Sequence, residues 1–229
     1  MKKRGSNTRT ISGTLNWMMT GWANHQKAIL ALALLAAILL PLCFTKRYVV
    51  TIMTNCVCFS ILALSLNLIT GFMGITSMGH AAFYGIGAYT AAILSTRFDV
   101  NILVTVPAAI LVTALAAFLI GLPAVKVPST HLAIITLGFC EIMRIIEINW
   151  MALTNGPLGI SKIPYPTLLG YSFRSVRSRY YLGLVLLVIV FYITRSLVNS
   201  RVGRAVISIR ENEIAAEAMG VNTYYYSIA

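Results

Sequence analysis

The chain has 229 residues, of which 58% are hydrophobic and only 10% charged. Soluble domains carry about 25% charged residues, so this composition excludes an ordinary soluble fold and makes a lipid bilayer the expected solvent. The net charge of +12 would raise nucleic acid as a partner in a soluble protein, but here the basic residues stand dispersed at the ends of apolar runs. That placement suits anionic lipid headgroups and the positive-inside rule, and no nucleic-acid role is expected.

Residues 1–27 read as a cytoplasmic tail. Its basic start (Lys2, Lys3, Arg4, Arg9) lies too far from the first apolar run for a signal peptide. Trp17, Met18, Met19 and Trp22, closed by Lys27, can form a short interfacial helix, and a disordered tail fits equally well. Beyond it, the ruler of about 20 apolar residues per crossing of a bilayer core of roughly 30 Å predicts an all-α polytopic membrane protein over residues 28–229. The six expected crossings are Ala28 to Phe44, Tyr48 to Thr70, His80 to Thr96, Ile102 to Leu122, His131 to Trp150 and Tyr180 to Leu197, and a seventh begins near Tyr224. Placing the N-terminus in the cytoplasm puts the larger share of Lys and Arg inside, against an outer cluster at Arg174, Arg177 and Arg179. Cys43, Cys56, Cys58 and Cys140 lie in apolar runs without His or Asp co-ligands and read as small packing residues, with no metal site.

The stretch Asn67 to Ala92, between the second and third crossings, is dense in Gly and Ala. Ala81 with Gly85 and Gly87 with Ala91 stand at the small-xxx-small spacing of closely packed membrane helices. From Gly71 to Gly79 the chain looks irregular for its depth, and non-helical backbone survives there only inside protein or beside a water-filled cavity. Asn67, Gly71, Gly74, Gly85 and Gly87 are therefore candidates either for the translocation path or for helix packing. His80 can line a pathway, cap a helix, or bond Ser77 or a carbonyl. In the fifth crossing Glu141, Arg144 and Glu147 recur every third residue along one side of the helix, which suits either a pathway or an ion-pair ladder. The turn-rich segment from Asn155 to Pro166 is an external loop.

After the sixth crossing comes a polar island, Ser200 to Gly220. Asn212 can cap a short helix with Glu213 in its first turn, and Gly220 can supply the left-handed residue that ends it. Phosphate-binding Gly-rich loops, His-Glu-x-x-His pairs and nucleophile elbows are missing, so the chain is not expected to be an enzyme.

Four segments carry a family resemblance: Leu66 to Thr90, Leu132 to Arg144, Asn149 to Ile160 and Ser200 to Gly220. In this order they resemble permease subunits of branched-chain amino-acid ABC importers. The resemblance implies a plasma-membrane subunit, bacterial or archaeal, that moves branched-chain or related amino acids inward. Its partners would be a second permease, two cytoplasmic ATPases that bind the ATP and Mg, and an extracytoplasmic substrate-binding protein, with no cofactor in this chain. It also implies that the island is a coupling segment docking in a groove of the ATPase, with Arg210, Glu211, Glu213, Ile214, Ala215, Ala216, Glu217 and Gly220 as its residues. Urea or short amides are alternative cargoes. A secondary transporter or channel using His80, Glu141, Arg144 and Glu147, or a non-transporting scaffold, are alternative classes. Family permeases usually continue for several more helices, so the chain reads as a fragment. Residues Leu122 to His131 also depart from the family's approach to the fifth crossing.

Overall fold

The computed structural model describes residues 28–42, 44, 46–75, 77–124, 129–168 and 171–221. The expected interfacial helix in residues 1–27, the start of a seventh crossing at residues 224–229, and Cys43 lie outside the described residues, as does most of the turn before the fifth crossing. The chain divides into two compact units, residues 1–51 and 52–229.

In the first unit, helix α1 runs from Ala28 to Leu42. Its side chains are mostly exposed large hydrophobics such as Leu32 and Leu35, as expected of a helix solvated by lipid. Helix α2 (Arg47–Asn67) begins in this unit, where the Lys46 carbonyl accepts from the amides of Val49 (3.1 Å) and Val50 (3.4 Å).

The second unit carries the rest. From α2 the helix widens into a π turn at Leu68–Phe72 and then breaks. Helix α3 (His80–Arg97) follows, and only residues 98–101 separate it from α4 (Ile102–Ala124), so these two helices pack antiparallel. Helix α5 (Ser129–Asn149) leads into the single turn α6 (Met151–Thr154) and a 3-10 turn at Gly156–Leu158. Two two-residue strands, β1 (Thr167–Leu168) and β2 (Tyr171–Ser172), pair antiparallel with Thr167 opposite Ser172. Three helices close the described chain: α7 (Val176–Asn199), α8 (Arg201–Glu211) and α9 (Glu213–Ala218).

Helices α3 and α5 run parallel, because their contacts climb both chains together. The Met78 amide donates to the Thr136 hydroxyl (3.0 Å), the Phe83 and Phe139 rings lie 5.5 Å apart, and Gly85 faces Glu147. Each of the α3 glycines serves a different neighbour. A side chain at Gly85 would strike the Glu147 carboxylate on α5, whereas one at Gly87 would come within 3.2 Å of the Thr113 hydroxyl on α4.

Among the described residues, three helices are long and apolar enough to cross a bilayer: Arg47–Phe72, Ile102–Leu122 and Val176–Asn199. At 1.5 Å per residue, the 26 residues of the first span about 39 Å. Helix α5 is long enough but carries Glu141, Arg144 and Glu147, while α3 dilutes its aliphatic content with Gly, Tyr, Thr and a terminal Arg97. Among the described residues few side chains are buried, and α4 exposes Ile110, Leu111, Leu115 and Leu119. Extensive exposed apolar surface of this kind marks contact with lipid or protein. The protein is thus a helical membrane protein, with one minimal β-ladder among the described residues.

Candidate functional site

The helix bundle has two ends. At one, the Arg97 guanidinium donates to the Ala152 carbonyl and, at 3.3 Å, to that of Leu153, which fastens the end of α3 to the single turn α6. Thr154, buried beside it, donates to the carbonyls of Glu147 (2.7 Å) and Trp150 (2.8 Å). At the other end lie the break after α2 and the polar island after α7.

The island is built from two helices. Ser200 starts α8: its hydroxyl accepts from the Gly203 amide at 3.3 Å and donates to the Leu197 carbonyl at 2.6 Å. The chain turns so sharply here that a side chain at position 203 would run into the Val198 carbonyl, so glycine makes the elbow possible. Helix α8 is amphipathic. Val202, Val206 and Ile207 line an apolar cavity with Leu68 and Phe72 of the π turn, Met73 just after it, and Leu197 and Val198 of α7, while Arg201 and Arg204 stay exposed.

Asn212 then ends α8 and caps α9. Its backbone is extended (φ −159°, ψ 104°), and its side-chain oxygen accepts from the Ala215 amide at 3.0 Å. The far end of α9 is closed by two crossed bonds, Val221 amide to Ala216 carbonyl (3.0 Å) and Gly220 amide to Glu217 carbonyl (2.9 Å). Gly220 sits at φ +85°, the left-handed conformation that this closure needs and that glycine adopts without penalty. Both ends of this six-residue helix are therefore fixed by its own sequence. Ala216 is buried, while Ala215, Glu217, Ala218 and Met219 are exposed, as is Glu211 at the end of α8.

Arg210 departs from its neighbours. Its guanidinium donates to the carbonyl of Gly71 in the π turn, and its aliphatic stem packs on Gly74, where an added Cβ would lie 2.7 Å from Cγ. The side chain of Asn67, the last residue of α2, lies over Gly71 in turn. Asn67, Gly71 and Gly74 thus belong to the same end of the bundle as the island.

The remaining candidates lie along α3 and α5. His80 opens α3 with its Nδ1 buried and unpartnered. Arg144 pairs with Glu141, Nε to Oε2 at 3.0 Å, on an exposed face. Glu147 stands apart, its Oε1 buried against Gly85 without a partner. Each step of three residues falls about 60° short of a full helical turn, so Glu147 is turned roughly 120° from Glu141, away from the exposed pair and onto α3. Thr136 and Gly203 drew no notice in the sequence. A lone threonine in an apolar helix has no periodic signature, although the Gly203 position just after a helix-capping Ser200 could have signalled a sharp elbow.

A helical membrane protein with a capped polar element fixed at one end of its bundle defines the class. The family model described as branched-chain amino acid transport system / permease component matches residues 48–229, and the chain belongs to that family. It is 36% identical over 220 residues to the high-affinity branched-chain amino acid transport system permease protein LivM of Salmonella typhimurium (strain LT2), covering 86% of this chain and 52% of the relative. To the LivM protein of Escherichia coli (strain K12) it is 35% identical, with the same coverage. The chain spans about half the length of these curated relatives. No solved structure matches it significantly.

Proposed function

We propose that the chain acts as the transmembrane permease subunit of an ATP-driven importer for branched-chain or related amino acids. In this reading α1 to α5 and α7 make six crossings with the N-terminus in the cytoplasm, and the island faces the ATPases. A second permease completes the pathway, an external binding protein delivers the substrate, and ATP and Mg bind in the ATPase subunits.

The observation that carries this reading is the double capping of α9. A six-residue helix is too short to persist on its own propensity. The Asn212 cap and the Gly220 closure hold it regardless, giving a rigid knob about 9 Å long with exposed Ala215 and Glu217 for a partner's groove. A rigid knob passes displacement to the bundle, which a flexible loop would absorb. A secondary carrier or channel has no use for such a knob. The break after Phe72, with the buried His80 Nδ1 beside it unpartnered among the described residues, supports a place near the substrate path, since such a polar group calls for water or a further partner.

The test is uptake into proteoliposomes holding the complete importer, with labelled leucine and labelled urea as cargoes. Leucine uptake that requires both ATP and the binding protein is the expected result. Uptake of urea alone would reassign the cargo, and uptake independent of ATP would replace this reading with a carrier or channel.

A further inference from the structure

The carboxyl-terminal end of a helix carries unpaired carbonyls and a partial negative charge, which basic side chains in the last turn usually offset. Neither α2 nor its π extension has a basic residue there. The cation comes instead from 139 residues away, as Arg210 of α8 donates to the carbonyl of Gly71. Two further features fit this contact. Gly74 adopts φ +71°, a conformation that suits glycine, and the Arg210 stem fills the space where its Cβ would stand. The apolar face of α8, through Val202, Val206 and Ile207, shares one cavity with Leu68, Phe72 and Met73.

We infer that Arg210 is a strut tying the docking element to the carboxyl-terminal end of α2, a positioning residue rather than an ATPase contact. Resting on the importer reading above, the strut gives displacement of α9 and α8 a direct route into the break before α3. Arg204, six residues earlier on the same helix, serves as the contrast: among the described residues its guanidinium donates to the Asn199 carbonyl of its own elbow, at 3.2 Å.

Hydrogen exchange on the chain in lipid nanodiscs tests the strut with no ATPase present. Arg210→Ala should speed exchange in the peptide covering residues 68–75 about tenfold, the size expected for losing one charge-assisted bond at an accessible site. Arg210→Lys should restore part of the protection. Arg204→Ala should leave that peptide at the wild-type rate, and a peptide within α3 should stay unchanged in every variant, showing that the bundle is folded. Wild-type exchange in Arg210→Ala, or an equal effect from Arg204→Ala, overturns the strut. In the assembled importer, Arg210→Ala should also lower the amount of substrate moved per ATP hydrolysed. An unchanged ratio alongside faster exchange would overturn the transmission role, leaving a purely structural contact. Failure of the wild-type importer to use ATP would sink the importer reading instead, and exchange would still decide the strut.

Discussion

Thr136 holds the parallel pair α3 and α5 together at the end nearest the break, and replacing it with the isosteric Val isolates one hydroxyl. That hydroxyl accepts from the Met78 amide at 3.0 Å and donates to the Ala133 carbonyl at 3.0 Å, and the residue is 7% exposed. Thr136→Val keeps the shape but leaves the Met78 amide without an acceptor, a loss of about 1–3 kcal/mol. Thr136→Ser keeps the acceptor and gives up one methyl group, about 0.8 kcal/mol. Both readouts come from the chain in nanodiscs: the thermal unfolding midpoint, and the exchange rate of the amide at position 78. Thr136→Val should lower the midpoint further than Thr136→Ser and should expose the Met78 amide, whereas the Ser variant should keep it protected. Equal exchange at position 78 in the two variants would refute the reasoning, since only one of them retains an acceptor.

Two more perturbations read other parts of the molecule. Asn212→Ala removes the cap of α9 and should destabilise that helix by about 1 kcal/mol, seen as faster exchange at the Ala215 amide, with Asn212→Asp keeping wild-type protection. Gly85→Ala should change the unfolding midpoint little, because the atom it meets is the mobile end of Glu147 and Ala favours helix over Gly by about 1 kcal/mol; Gly85→Leu should lower the midpoint clearly by forcing α3 from α5.

The parts legible in the sequence were those written locally. Asn212, Glu213 and Gly220 lie within nine residues of one another, and cap chemistry acts over that range, so α9 could be read with bounds within one residue of Glu213–Ala218. Helix positions were legible from the apolar runs, although among the described residues only three of the helices are long and apolar enough to cross a bilayer; α7 begins at Val176, four residues before the expected Tyr180, through a polar first turn. The irregular backbone after Thr70 followed from its glycines, though the π turn that precedes the break did not. What stayed hidden was pairing at a distance. Arg210 reads as one more charge on the island until the fold sets it against Gly71, and the spacing of Glu141, Arg144 and Glu147 gives no sign that the third faces a glycine on another helix. The same spacing in one sequence fits a ladder or a split row, and only the position of α3 separates them.

The proposed role of α9 is to pass the ATPase's work to the membrane helices. Its most direct test compares wild-type and Glu213→Lys permease within the complete importer in proteoliposomes, recording ATP hydrolysis and leucine uptake together. Continued hydrolysis with uptake lost is the predicted result, and ATP-dependent uptake at the wild-type rate would contradict it.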